Sequence, residues 1–178
     1  MHVRALTIED LRAYRDLHRY GMTDAPLGFV DVKETDAARP DSEIAAMLER
    51  GEGLGVFEDE RLVGKLTIDA LPYPSLAHTF WVHAVYVHPD ARGTGASAAL
   101  MQAAVDAAVA KGARRIALWV NQRNTPARRF YERFGFVMTG CIPGGIAVGE
   151  ELVDDVLMTL DLSAGVSSGP LDGTRRGA

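Results

Sequence analysis

Arg92-Gly93-Thr94-Gly95-Ala96-Ser97 is the stretch whose residue types and spacing best suit a bound anion. Gly93 and Gly95 carry no Cβ, so backbone N–H groups can approach a negative group closely. An alanine-rich run follows and reads as a helix. The first N–H groups of a helix have no intrahelical partner, and its dipole favours negative charge there. Phosphate is the ligand for such an element. The spacing is neither the Gly-x-x-x-x-Gly-Lys-Ser/Thr of a P-loop nor a dinucleotide fingerprint, which needs a third glycine. The same glycines would also serve a tight turn with close helix packing. A second polar cluster, Asn121-Gln122-Arg123-Asn124, follows a strand-like run and precedes a helix start.

These clusters need elements to hold them. His78 to His88 is a β-branched and aromatic run that reads as a central strand leading into the glycine turn. The helix from about Gly95 to Lys111 carries Leu100, Met101, Ala104, Val105 and Ala108 at the spacing of one buried face. Arg115 to Val120 has apolar residues on both sides, which predicts a fully buried strand in parallel pairing. Together these three make a β-α-β unit. Thr125 is expected to cap the next helix, with Pro126 at its first position and Phe130, Tyr131 and Phe134 along one side.

Upstream, Val3 to Thr7 reads as a strand, and Thr7 with Asp10 has the spacing of a capping box. A first helix is expected to end at Gly21 and a second to start at Asp41 or Ser42. Met22 to Pro40, with Phe29, is irregular and could line a binding site or be a packed connection. Gly53 to Glu58 and Arg61 to Ala70 form a hairpin. Phe136 to Cys141 and Glu151 to Leu160 are expected to close the sheet, joined by a Pro143-Gly144-Gly145 loop. The fold class is α/β, with a mixed, mostly antiparallel sheet of about seven strands, a central parallel pair and about four helices. A ligand would sit outside the carboxyl ends of the parallel strands.

The chain of 178 residues is one domain in size, expected to occupy 1–162, with 163–178 as a disordered tail rich in Ser, Gly and Arg. Its net charge of −5 argues against a nucleic-acid partner and for a neutral or cationic substrate. The single cysteine, Cys141, excludes an internal disulfide and a cysteine zinc site, and it suits a reducing, cytoplasmic setting. Neither a signal peptide nor a membrane span is expected, and no metal site.

Three stretches together resemble the GNAT superfamily of N-acetyltransferases. Arg92-Gly93-Thr94-Gly95-Ala96-Ser97 is similar to the family's Arg/Gln-x-x-Gly-x-Gly/Ala element, which holds the pyrophosphate of acetyl-CoA. Asn124 with Ala127, Tyr131, Gly135 and Phe136 looks like its Asn-x-x-Ala-x-x-x-Tyr-x-x-x-Gly-Phe signature. Asp154 to Leu160 resembles its closing strand. Ser97 departs from the family's usual glycine or alanine, and its hydroxyl could donate to a phosphate. The resemblance implies acetyl-CoA as co-substrate and direct transfer of acetyl to a primary amine, of a small molecule first and of a peptide or protein as the alternative. It implies a bulged central strand whose backbone at Val85 and Val87 pairs with the pantetheine arm, with an N–H there for the oxyanion. Gly93 to Ser97 and Arg92 would bind phosphate, Asn124 the arm, and Tyr131 would protonate the leaving thiolate. An amine of pKa ~10.4 costs about 4 kcal/mol to neutralise near pH 7. Family members often place a glutamate on the central strand for this. Here His83 is the substitute base, with His78 second and Glu150 and Glu151 as weaker alternatives. Without a working acid and base, the chain would be an acyl-CoA-binding regulatory module. Family members are often homodimers.

Overall fold

The computed structural model describes residues 1–30, 36 and 39–163. The disordered tail expected from residue 163 onward lies outside the described residues, apart from Ser163 itself. The strands are β1 His2–Ala5, β2 Gly53–Glu58, β3 Arg61–Ala70, β4 Thr79–Val87, β5 Arg115–Asn121, β6 Val137–Val148 and β7 Glu151–Asp161. Four α-helices lie among the described residues: α1 Leu11–Asp24, α2 Asp41–Glu49, α3 Ala96–Ala110 and α4 Thr125–Phe134. The sheet order is β1-β2-β3-β4-β5-β7-β6. Every neighbouring pair is antiparallel except β4 and β5. This is the mixed sheet with one central parallel pair that the residue pattern implies.

Each face of the sheet has its own core. On one face, Ala96, Leu100, Met101, Ala104 and Ala108 of α3 are fully buried with Val56, Val63 and Leu66 of β2 and β3. Alanine at three of these five positions lets the helix axis approach the sheet closely, which raises packing density. On the other face, Tyr14 and Leu17 of α1 and Ile44, Met47 and Leu48 of α2 pack with Leu6, Phe57, Leu62 and Tyr86. The entry to α1 is tied by Asp10. Its carboxylate accepts from the Thr7 N–H at 2.8 Å and pairs with Arg4 at 2.6 Å.

Several local expectations need correction. α1 does not stop at Gly21 but continues to Asp24. A Cβ at Gly21 would lie 2.8 Å from Phe29 Cζ and 2.9 Å from Tyr86 Cγ, so this glycine is required by close packing rather than by a helix end. α2 is capped by Pro40, with Asp41 already helical. The cap of α4 is Asn124 rather than Thr125, because the Asn124 side chain accepts from the Ala127 N–H at 3.3 Å. Pro143-Gly144-Gly145 is no loop between strands. It lies inside the long strand β6, where the register with β7 shifts between Ile142 and Ile146, and the chain reverses at Gly149 and Glu150. β5 is buried on both faces, with Ile116, Leu118 and Val120 on one and Ala117 and Asn121 on the other, except at Arg115 and at Trp119, which is 40% exposed and lines a cleft.

His18 on α1 is buried, stacked on Tyr14 and edge-on to Phe29 at a centroid distance of 5.0 Å. Burial first, then the nearby Lys65 charge, lowers its pKa to about 4. The unfolded chain therefore binds a proton between pH ~6.5 and 4 that the folded chain does not. His18 favours folding above pH ~6.5, and this contribution falls as pH drops towards 4. His18→Gln should flatten the pH dependence of the unfolding midpoint in that window, and an unchanged slope would contradict the burial of a neutral imidazole. Gly21→Ala gives a second test. An ordinary helical Gly→Ala change stabilises by about 1 kcal/mol. Here overpacking should reverse the sign, with a loss of about 1–3 kcal/mol in thermal or urea unfolding.

Candidate active site

The parallel pairing of β4 with β5 is short. Only Thr79, Phe80 and Trp81 of β4 have partners, at Arg115, Ile116 and Ala117. Beyond Trp81 the strands part. On its other side β4 carries an extra residue: the register with β3 runs from Lys65 opposite Tyr86 to Thr67 opposite His83, two steps against three. Ala84, in this interval, has φ +49°, a left-handed conformation that is uncommon for a residue with a Cβ. This is a β-bulge, which increases local twist and bends its strand away from a neighbour. Val85 therefore has no register partner in β3 or in β5.

Two clefts open from this parting. One, of about 540 Å³, runs over Val85, Tyr86 and Val87 to Arg92 and Ser97, with Asn124, Ala127, Phe130 and Tyr131 as its far wall. The other, of about 720 Å³, lies on the α1 and α2 side, lined by Asp69, His83, Trp119, Asn121 and Asp155 among others. Leu27, Gly28, Phe29, Val85, Asn124, Ala127 and Tyr131 border both. The two clefts therefore meet along a shared wall that includes Val85 and Tyr131.

The glycine turn stands at the outer end of the first cleft. Gly93 and Gly95 have φ of +78° and +91°, and a Cβ at either would meet no protein atom within 4 Å. Their requirement is conformational: they turn the chain so that α3 starts at Ala96. Gly93, Thr94 and Gly95 are exposed, Ala96 is buried and Ser97 is half-buried. The N–H groups of Gly93, Thr94 and Gly95 donate to no backbone carbonyl among the described residues. The Thr94 hydroxyl donates to the Ala91 carbonyl at 2.8 Å, so its proton is already used.

Arg92 has local partners. Its Nε donates to the Val87 carbonyl at 3.1 Å, and its guanidinium pairs with Asp24. Asp24 also accepts from the Tyr86 hydroxyl at 2.9 Å. The end of α1, the end of β4 and the glycine turn are thereby joined at one carboxylate. Asn124 is similarly committed: besides capping α4, its Nδ2 lies 3.4 Å from the Leu27 carbonyl, joining the 3-10 turn Pro26–Gly28 to the helix.

Tyr131 is buried, with ring contacts to Phe130 and Phe136 at 5.4 and 5.7 Å. Burial alone raises its pKa, so the phenol stays protonated across the working pH range. His83 faces the larger cleft, half exposed, with Nε2 3.3 Å from Asp69 Oδ1. His83 and Tyr131 thus border the same cavity, as do Val85 and Asn124, while Val87, Arg92 and Ser97 border the smaller one. His78 precedes β4, and its carbonyl accepts from Arg114 and Arg115. Glu151 pairs with Arg123, at the mouth of the smaller cleft. Cys141 is exposed on β6, and its pKa is raised, by desolvation first and then by Asp154 and Asp155, which disfavours a thiolate nucleophile.

Sequence reasoning missed Lys65, Asp69, Trp119 and Asp155. Asp155 lies opposite Asn121, and partial burial raises its pKa. A signal for the first two was available: Lys65, Thr67 and Asp69 alternate along β3 and so share one face of the strand. Among the described residues, no group of three or more His, Cys, Asp or Glu side chains is arranged to hold a metal ion. No described helix is long and apolar enough to cross a membrane.

This arrangement can be set beside known proteins. An uncharacterized N-acetyltransferase of Methanocaldococcus jannaschii is 42% identical over 55 residues, which make up 31% of this chain and 24% of that protein. The matched stretch is thus about a quarter of that relative's length. The structure of yncA from Salmonella typhimurium with its cofactor acetyl-CoA superposes with a TM-score of 0.80 at 19% identity, covering 96% of this chain and 97% of that one. The ribosomal-protein-alanine N-acetyltransferase of Brucella melitensis superposes with a TM-score of 0.78 at 18% identity, covering 91% and 100%. At these identities the two structures establish a shared fold. The family model for the acetyltransferase (GNAT) family matches residues 13–136, most of the chain, and the chain belongs to that family.

Proposed function

We propose that this chain transfers an acetyl group from acetyl-CoA directly to a primary amine of a small molecule. The observation that carries this reading is the meeting of two clefts at Val85 and Tyr131, where β4 and β5 part. The smaller cleft takes the pantetheine arm, with the backbone of Val85, which has no register partner, and of Val87, which is paired with β3 but not with β5, on one side and Asn124 on the other. The pyrophosphate lies on the N–H groups of Gly93 to Ser97, where the start of α3 favours negative charge. Arg92 stays with Asp24 and supports this turn from beneath.

The larger cleft takes the amine. Its volume lies in the range of small-molecule sites. Arg50 is paired with Glu52, and Arg39 with Glu43, which leaves Asp69 and Asp155 to set the sign of the field. A cationic amine suits this lining. His83, held by Asp69, takes the proton that the ammonium group must lose. The amine nitrogen then attacks the thioester carbonyl carbon, and the Val85 N–H holds the oxyanion. The tetrahedral intermediate then collapses: its C–S bond breaks, the thiolate takes the phenolic proton of Tyr131, and the second proton lost by the attacking nitrogen passes through solvent to restore the phenol. Tyr131 suits this role because burial keeps the phenol protonated until the thiolate is created beside it; a thiolate of about pKa 8.5 is the weaker base of the two, so the transfer is uphill and is drawn forward by reprotonation of the phenolate. No covalent enzyme intermediate is needed, in keeping with the raised pKa of Cys141. That lone cysteine also fits a reducing cytoplasm.

Release of free thiol from acetyl-CoA, measured against a panel of small primary amines and short peptides, tests the reading. A small amine should be acetylated at the higher rate, and a preference for peptide N-termini would move the acceptor class to proteins. Tyr131→Phe should lower turnover by ~10²-fold or more with little change in acetyl-CoA affinity. Unchanged turnover would remove the acid role. His83→Ala should alter the basic dependence of the pH–rate profile, and an identical profile would place the base elsewhere.

A further inference from the structure

Lys65 sits in the middle of β3 and is fully buried. Its ammonium donates to the Ala84 carbonyl at 3.2 Å. It also stands 4.5 Å from the centre of the Tyr14 ring and 5.7 Å from that of Phe29. Burying a lysine is costly unless its charge is met by acceptors and aromatic faces. Here the charge is directed at the one residue of β4 that is left-handed, inside the bulge that opens the site.

We propose that Lys65 is a positioning residue for acetyl transfer: its ammonium fixes the Ala84–Val85 amide and polarises it, so that the Val85 N–H becomes a better donor to the thioester oxygen. This rests on the assignment of that N–H as the oxyanion donor. The Ala84 carbonyl and the Val85 N–H belong to one planar, conjugated amide. A charged donor on the oxygen draws electron density from the nitrogen and strengthens the N–H as a donor, as in any chain of hydrogen bonds. In a trans amide the two groups point in opposite directions, so holding the oxygen on the Lys65 side directs the N–H away from it. Val85 has no register partner and borders both clefts, so its N–H is not committed to the sheet by register. The same bond supports the uncommon φ of Ala84, which an alanine would leave if the bulge were free to relax.

Isotope-edited infrared spectroscopy of the full chain tests this without a known acceptor. Acetyl-CoA labelled with ¹³C at the acetyl carbonyl is added to the wild type and to Lys65→Met and Lys65→Arg. In the wild type the thioester carbonyl band should shift to lower frequency than in free acetyl-CoA. Lys65→Met should bind acetyl-CoA and lose most of that shift, and Lys65→Arg, which keeps a charged donor, should restore it. A wild-type shift retained in full by Lys65→Met would overturn the proposal while leaving the oxyanion assignment intact. Bound acetyl-CoA with no shift in the wild type would instead remove the oxyanion assignment itself, and the proposal with it. If Lys65→Met does not fold, Lys65→Gln takes its place as a neutral variant. Failure of both to fold would make Lys65 a folding residue and overturn the proposal.

Discussion

One extra residue in β4 governs the centre of this molecule. Strands in a sheet satisfy their backbone groups through their neighbours, so a backbone segment without a partner must be held open by something else. In this chain the bulge at Ala84 takes β4 out of register with β3, and the pairing with β5 ends at Trp81. The result is a stretch of strand with free hydrogen-bonding capacity inside a protein. Its left-handed alanine is met by a buried lysine from the next strand. The two clefts, their shared wall and the placement of Tyr131 and His83 all depend on this parting.

The surrounding elements keep the opening from collapsing. Asp24 joins α1, the Tyr86 hydroxyl and Arg92, so the end of the bulged strand and the glycine turn are tied to the first helix. Asn124 caps α4 and reaches the carbonyl of Leu27 in the 3-10 turn Pro26–Gly28, and both residues border the two clefts. Gly21 lets α1 come close enough for Phe29 and Tyr86 to pack beside it. Charge is divided between the two sides. The smaller cleft ends at Arg92 and Ser97, on either side of the glycine turn whose amides suit a phosphate, and the larger one holds Asp69 and Asp155. Such a division is what the proposed reaction between an anionic donor and a cationic amine would use.

The order of elements along the chain, the parallel pair and the glycine turn were legible because they rest on local signals: β-branched runs, helical spacing, and glycines where φ is positive. Asn124 and Tyr131 were legible only as positions in a pattern, since spacing alone made Tyr131 another aromatic beside Phe130 and Phe134. Long-range packing defeated the rest. Gly21 resembles a helix end, and only Phe29 and Tyr86, brought in from other elements, explain it. Pro143 to Gly145 carries the composition of a turn, yet β7 pairs along both sides of it and absorbs it as an irregularity in β6. The apolar run in β5 suggested two buried faces, which holds except at Trp119, where the larger cleft opens. Lys65 was overlooked because a lone charge in an apolar strand is normally an exposed one.

The account stands on acetyl-CoA binding at the parted strands, and thermal unfolding with and without acetyl-CoA tests this most directly, with ATP and NADH as controls. At a hundredfold excess over its dissociation constant the ligand should stabilise the chain by ~2.7 kcal/mol, a rise of several degrees in Tm. The account predicts that rise with acetyl-CoA and none with ATP or NADH. No rise with acetyl-CoA, or an equal rise with ATP and NADH, would contradict the assignment of the smaller cleft and the glycine turn.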